Sequence, residues 1–235
     1  NHPGLIDAAV AQYSYPDMVT QTIHVGDCEL LERWADSKVI AEGPLSMWRN
    51  WLNRTLIEGL NASPLVTNPY AALMPYMPAG SDECINGWRG LSPLALNPLF
   101  GTAPGITPAQ QAAVEWTHWG DLVNIYGTDA SGYARSPWDN VGVQYGLESL
   151  RNGKITPAQF LDLNEHVGGF DADANLVPSR TAADPQAVRA AYRTGRLTNG
   201  GGGLKDVPII DYRAYYDTQS YGDIHVRYHT FSMRA

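Results

Sequence analysis

Strand-like segments occur only near the two ends of this 235-residue chain, and that spacing constrains its fold more than any other feature. The first, "LIDAAVAQYSYPD" at residues 5–17, is a short apolar run that ends in a turn at Tyr-Pro-Asp. The second, "VPIID" at 207–211, follows a run of four glycines. Neighbouring strands of an α/β sheet are normally joined by one crossover of about a dozen or more residues. The long middle is therefore predicted to be an insertion that covers a sheet edge.

The middle of the chain is predicted to be largely helical in its first and last parts. Apolar residues recur at helical spacing over 28–41 and again over 44–60. A third helix is predicted over 184–197, where Asp184 precedes Pro185 as a cap would.

One five-residue string, "ITPAQ", occurs twice, at 106–110 and at 155–159. Each copy offers Thr as an N-cap, Pro in the first turn and Gln where a capping box needs its reciprocal acceptor. We therefore predict a helix start at both places. Residues 61–105 are instead rich in Pro and Gly without a sustained period, which predicts an irregular segment.

The charge balance excludes two classes of partner. Lys and Arg number 16 against 24 Asp and Glu, which gives a formal net charge of -8, and no basic run occurs. This argues against nucleic acid and anionic lipid. No apolar window approaches the roughly 20 residues that a membrane-spanning helix needs, so no membrane association is expected.

The two cysteines, Cys28 and Cys84, stand in unrelated contexts. Neither belongs to a C-x-x-C motif or has the His spacing of a metal site. We predict one disulfide between them, formed in an oxidising compartment, and two inert thiols are the alternative.

Acidic and imidazole side chains gather near the end of the chain, in "VPIIDYRAYYDTQSYGDIHVRYHTF". Catalytic groups of open α/β sheets lie just past the carboxyl ends of strands, and Asp211 or Asp217 falls there. Such an Asp orients a His that acts as base, for which His225 is the candidate. The alternative is structural: Asp223 caps a helix that contains His225, and Asp211 closes a turn.

The sequence lacks the serine that such an acid and base would serve. A nucleophile elbow has the form G-x-S-x-G on a strand-to-helix turn. The nearest match, "TDASGYAR" around Ser131, has Asp129 in place of the first Gly and no strand before it. Ser131 is therefore interpreted as a loop serine.

A third group of oxygen-bearing side chains lies in "FDADANLVPSR". Asp171, Asp173 and Asn175 have the alternating spacing of a calcium-binding loop. An EF-hand also needs Gly at its sixth position and Glu at its twelfth, which here are Leu176 and Ala182. A different single-loop calcium site and a solvated turn both stay open.

Several long motifs resemble a family of large secreted bacterial α/β-hydrolase-like proteins of unassigned activity, related in layout to tannase and feruloyl esterase. They are "NHPGLIDAAVAQYSYPD", "RSPWDNVGVQYGLESLRNGKITPAQFLDLNEHVGGFDADAN", "AYRTGRLTNGGGGLKDVPIIDYRAYYD" and "GDIHVRYHTFSMRA". The similarity covers most of the chain and is weaker over 35–105.

The resemblance implies a division of the chain. In that family a Gly-Ser-Gly-Gly type elbow and its helix come just before the segment that matches "HPGLIDA" at 2–8. The chain is thus expected to begin after the nucleophile helix. Residues 1–26 would hold a core strand and its exit loop, 27–203 a lid, and 204–235 a core strand with the following helix.

The same layout implies which carboxylate is the acid. "PIIDYRAYYD" is similar to the "LLLxHGxxD" run of esterases, which favours Asp217 over Asp211. His225 stays the candidate base, and esterases commonly carry their catalytic His later in the chain. The nucleophile serine is expected on a companion polypeptide or on a missing N-terminal part. Residues 1–17 and 205–235 are expected to pack against that companion.

Taken together, we predict an α/β chain that forms a portion of an α/β-hydrolase fold with a large, mainly helical and irregular lid insertion. Its expected function is the lid and triad-acid portion of a secreted serine hydrolase that cleaves a small-molecule or polymer ester, with amides less favoured and no cofactor required. The alternative is a non-catalytic interaction protein, with calcium as a candidate ligand at Asp171–Asn175.

Overall fold

The computed structural model describes most of the chain outside one long central segment. The described residues are 4–12, 14–59, 107–113, 117–173, 175–198, 202–213 and 229–231. Their helices are α1 (Met18–Glu42), α2 (Trp51–Glu58), α3 (Pro108–Ala112), α4 (His118–Tyr126), α5 (Leu147–Arg151), α6 (Pro157–His166) and α7 (Pro185–Thr194). Their strands are β1 (Ala9–Gln12), β2 (Gly169–Phe170), β3 (Leu176–Val177) and β4 (Ile209–Tyr212).

The two terminal strands are neighbours in one sheet, although nearly the whole chain separates them. β1 and β4 run parallel, with Ala9 opposite Ile209 and Gln12 opposite Tyr212. This confirms the predicted strands at both ends. A parallel pair needs a crossover connection, and the connection here contains every described helix from α1 to α7.

The first helix, α1, is longer than its sequence pattern predicts. It begins at Met18, ten residues before the predicted start at Cys28, because the Asp17 side chain accepts a hydrogen bond of 2.7 Å from the Thr20 amide. It ends at Gly43, whose φ of 67° suits glycine. The helix is continuous through residues 26 and 27, where the boundary between core and lid is predicted.

The predicted helix over 44–60 is wrong in its first half. Two single turns of 3-10 helix, Gly43–Leu45 and Met47–Arg49, precede α2. Ser46 and Asn50 both have extended backbone, which interrupts the helical hydrogen bonds. Asn50 then caps α2 by accepting from the Leu52 amide at 3.0 Å.

Both "ITPAQ" strings start helices, as predicted. Thr107 and Gln110 cap α3, and Thr156 and Gln159 form a complete capping box at α6. Asp184 caps α7 through the amides of Gln186 and Ala187.

Strands are not confined to the ends of the chain, and this part of the prediction is wrong. β2 and β3 form a small antiparallel hairpin whose loop holds the Asp171–Asn175 motif. Each strand has two residues, which is too short for an alternating apolar pattern to be visible in the sequence.

Two apolar clusters hold the helices together, and α1 contributes to both. The C-terminal half of α1 packs Leu31, Trp34 and Ala35 against the region of α2, α5 and α6. The start of α1 packs Val19 and Ile23 against α4, α7 and residues 134–138. No helix among the described residues is long and apolar enough to cross a membrane.

A buried ion cluster joins α1 to α2. The Arg54 guanidinium is fully buried and donates to Glu32 Oε2 at 2.6 Å, to Asp36 Oδ1 at 2.8 Å and to the carbonyl oxygen of Trp48 at 2.7 Å. Burial, followed by the negative charge of Glu32, raises the pKa of Glu58 beside them, which favours the protonated form. The single cation is thus shared among several acids.

Candidate functional site

A group of polar and aromatic side chains meets at the carboxyl ends of the parallel strands β1 and β4. We call it the terminal cluster. Its members are Ser14, Tyr15, His24, Asp211, Arg213, His229 and Thr230. The carboxyl edge of a parallel sheet is the usual location of ligand and catalytic groups in open α/β sheets.

Asp211 is the electrostatic centre of the terminal cluster. Its Oδ2 accepts from Arg213 Nε at 3.0 Å and from the Thr230 hydroxyl, and its Oδ1 accepts from Arg213 Nη2 at 3.2 Å. The side chains of Asp211 and Arg213 are only 7% and 4% exposed. Bidentate pairing of this kind fixes both side chains in one orientation.

Arg213 also ties the two strand ends together. Its Nη2 donates to the Ser14 carbonyl oxygen at 2.5 Å, in the segment just after β1. Asp211 and Arg213 are therefore a clamp between the exit of β4, the exit of β1 and the helical residues 229–231.

Three rings lie against one another beside this clamp. The ring of Tyr15 is centred 4.3 Å from that of His229, and the rings of His24 and His229 are 5.4 Å apart. His229 is fully buried. The arrangement brings together α1, the exit of β1 and residue 229, which are far apart in the sequence.

The ionisation of this cluster follows from its burial. Burial, followed by the electrostatic interaction with His229, lowers the pKa of His24 to about 4, so His24 is neutral at pH 7. Burial by itself raises the pKa of Asp211. The hydrogen bonds from Arg213 and Thr230 and the charge of Arg213 outweigh that effect and hold the pKa of Asp211 below its ordinary value.

The structure describes only one of the three predicted catalytic residues. Asp211, the alternative acid, lies in the terminal cluster as described above. Asp217 and His225 lie outside the described residues, so their roles stay predictions. His24, Arg213 and His229 were not predicted as site residues. Only Arg213 and His229 had a sequence signal, since both stand in the same acidic and imidazole-rich stretch.

The predicted calcium ligands form a compact turn. Asp171 Oδ1 accepts from the amides of Asp173 and Asn175 at 2.9 and 2.8 Å, and its Oδ2 accepts from Asn175 Nδ2 at 3.2 Å. The Asp171 carboxylate thus stabilises the β2–β3 loop itself. Among the described residues no group of three or more His, Cys, Asp or Glu is placed to hold a metal ion, and calcium binding stays a prediction.

The structure describes only one of the two cysteines of the predicted disulfide. Cys28 is buried in α1, whereas Cys84 lies outside the described residues. The pairing of the two stays a prediction.

One face of the β1–β4 sheet is apolar and open. Val10, Ile210 and Tyr212 share one face, since residues opposite each other and two apart point the same way. Their exposed fractions are 70%, 63% and 61%. Parallel strands normally have both faces covered, so this pair presents a surface that further structure would bury.

A pocket lies on the other side of α1, and we call it the α1 pocket. Its volume is about 230 Å³, and residues 22–30 of α1 form one wall. At 100° per residue, His24 lies roughly 130° round the helix from the middle of that wall. The α1 pocket and the terminal cluster therefore occupy different sides of α1.

Comparison with known proteins places the whole chain in one family. A family described as "Tannase-like family of unknown function (DUF6351)" matches residues 1–235. The chain matches no curated protein and no solved structure.

Proposed function

Because the chain belongs to the tannase-like family, whose match spans residues 1–235, we propose that it is the lid and triad-acid portion of a secreted serine hydrolase that cleaves an ester. The observation that carries the proposal is the terminal cluster at the carboxyl ends of β1 and β4. Two parallel strands joined across a large helical insertion, with charged groups at that edge, fit an α/β-hydrolase core bearing a lid.

The proposed reaction is acyl transfer. A serine hydroxyl attacks the ester carbonyl while a His takes its proton, and the same His returns that proton to the departing alkoxide. Water then hydrolyses the acyl-enzyme. In this scheme Asp217 orients the His and stabilises its imidazolium, and His225 is the proposed base.

Asp211 has a different role in this proposal. Both of its oxygens accept hydrogen bonds from Arg213 or Thr230, so it is a positioning residue rather than the triad acid. It holds the exit of β4 against the exit of β1.

The serine is proposed to reside on a companion polypeptide or on another part of the same precursor. The open apolar face of Val10, Ile210 and Tyr212 supports this, because covering it with further core strands or helices would bury both strands. A two-stranded sheet is by itself marginally stable in water.

Turnover of a simple aryl or alkyl ester by the native material tests the assignment of the acid. Replacing Asp217 with Asn is expected to lower kcat by about 10⁴-fold, as loss of the orienting carboxylate does in serine hydrolases. The matched control is Asp206→Asn, which removes the same charge from an exposed position and is expected to leave kcat unchanged. Equal turnover by the two variants would rule out Asp217 as the acid.

A further inference from the structure

The α1 pocket has the composition of a small-molecule site. Its walls are mostly apolar, with Ile23 and Leu30 from α1, Trp138 from the segment before α5 and Phe170 from β2. Polar residues interrupt this apolar surface, and they are eight of the fifteen residues that line the pocket. Pockets whose surface is largely apolar, with polar groups at defined positions, are typical of ligand-binding sites.

Three carboxylates line the α1 pocket. They differ in whether both of their oxygens already accept hydrogen bonds. Asp139 accepts from the amides of Val141 and Ala183, one at each oxygen. Asp171 uses both oxygens within its own loop. These two carboxylates are therefore already committed to the local backbone.

Asp27 is the exception. Its Oδ1 accepts from the Tyr145 hydroxyl at 2.6 Å. No described residue donates a hydrogen bond to its Oδ2. Burial raises the pKa of Asp27 to about 6, against the lowering effects of the Tyr145 hydrogen bond and the Arg180 charge. At pH 7.5 the group is thus a carboxylate with one acceptor oxygen open.

The surroundings of Asp27 disfavour anionic ligands most strongly. The Arg180 guanidinium lies over the Tyr145 ring at 5.0 Å and donates to the carbonyl oxygens of Asn140 and Asn164. Its positive charge acts on Asp27 without forming an ion pair with it. An anionic ligand would be repelled by the three carboxylates. A cationic ligand would be attracted by them and repelled by Arg180, and a charged ligand of either sign would lose its hydration in a mostly apolar pocket.

The volume limits the size of the ligand. An apolar cavity of about 150 Å³ accommodates benzene, so the 230 Å³ of the α1 pocket suits one substituted ring. A ligand of that size is expected to bind with a Kd of about 0.1 to 1 mM.

We propose that the α1 pocket binds an uncharged, mostly apolar alcohol about the size of one substituted ring, whose hydroxyl group donates a hydrogen bond to Asp27 Oδ2. The site is separate from the terminal cluster and its occupancy does not depend on ester cleavage. The proposal therefore stands or falls independently of the proposed hydrolase function.

Ligand-observed saturation-transfer NMR titrations of the 235-residue chain at pH 7.5 test the proposal with four ring compounds of similar size. Benzyl alcohol carries the donor, toluene lacks it, benzylamine is cationic and benzoate is anionic. Saturable binding of benzyl alcohol is expected, with benzoate at least threefold weaker and benzylamine no tighter. No saturable binding of benzyl alcohol up to 20 mM, or tighter binding of either ion, would overturn the proposal.

Two variants locate the site. Asp27→Asn keeps the side-chain shape and is expected to weaken benzyl alcohol binding about fivefold or more while leaving toluene binding unchanged, because only the alcohol uses the carboxylate. Ala182→Phe fills the pocket from an exposed position and is expected to abolish binding of both compounds. Asp206→Asn is the control and is expected to change neither affinity.

Two results with these variants would contradict the proposed site. Benzyl alcohol binding that survives Ala182→Phe would place the alcohol elsewhere on the protein. An equal effect of Asp27→Asn on benzyl alcohol and on toluene would show that the carboxylate does not accept the hydroxyl hydrogen bond. Either result rejects the proposed site.

Discussion

At the scale of single residues, His24 and Asp27 lie three positions apart on α1. Their contributions to the stability of the fold change with pH in opposite directions. The pKa of His24 is lowered to about 4, so the unfolded chain takes up the proton first as the pH falls below 6.5. The contribution of neutral His24 to stability is therefore present above pH 6.5 and is lost progressively between pH 6.5 and 4.

Replacing His24 with Gln is expected to remove this acid sensitivity. At about 1.4 kcal/mol per pKa unit, the difference in the free energy of unfolding between pH 7.5 and pH 4 should shrink by up to about 3 kcal/mol relative to the parent protein. Urea unfolding at the two pH values measures it. His166→Gln, at a largely exposed position, is the matched control, and an equal change in both variants would contradict the account.

The contribution of Asp27 to stability changes with pH in the opposite direction. Its folded-state pKa of about 6 exceeds the ordinary value of 3.8, so the folded chain holds the proton more firmly and stability falls as the pH rises from 4 to 6. Asp27→Asn is expected to gain up to about 3 kcal/mol over the parent protein at pH 7.5 and little at pH 3.5. Urea unfolding at both pH values tests this, and a gain that is the same at pH 3.5 would show that burial of the carboxylate is not its cause.

At the scale of elements, the contact between α1 and α2 depends on one buried cation. Arg54→Met is expected to lower the free energy of unfolding by about 3 to 5 kcal/mol, because Glu32 and Asp36 would be left buried without their partner. Arg33→Met, which removes an Arg that is 46% exposed on α1, should cost less than about 1 kcal/mol. Similar losses in denaturant unfolding would contradict this assignment.

The success of the sequence prediction also differs from element to element. The starts of α6 and α7 were predicted because Thr156 and Asp184 are local capping signals. The start of α1 was not, because the Asp17 cap is followed by β-branched residues such as Val19 and Thr20, which favour strands.

The contacts of the candidate site were harder to predict from the sequence than the helix starts. The α1 pocket depends on a hydrogen bond between Tyr145 and Asp27, which are 118 residues apart, and the terminal cluster brings His24 beside His229. No local pattern in the sequence predicts either contact. Asp211 was predicted as a site residue because a charged residue directly after an apolar strand is a local signal.

At the scale of the whole molecule, the proposed hydrolase needs further structure against the sheet of β1 and β4. β1 and β4 are parallel neighbours with an open apolar face, and the carboxyl edge they share carries the terminal cluster. The proposed companion segment would cover that face and supply the nucleophile serine. The helices between β1 and β4, by contrast, have apolar clusters of their own.

The most direct measurement is labelling of the native material with a fluorescent fluorophosphonate, followed by a denaturing gel and the intact mass of every band. We expect one label, either on a second, co-purifying polypeptide or on a larger polypeptide that contains this chain, and none on the 25.7 kDa chain itself, since only an activated serine reacts. No label on any band, together with a single unpartnered 25.7 kDa species, would contradict the proposed serine hydrolase and favour an interaction protein.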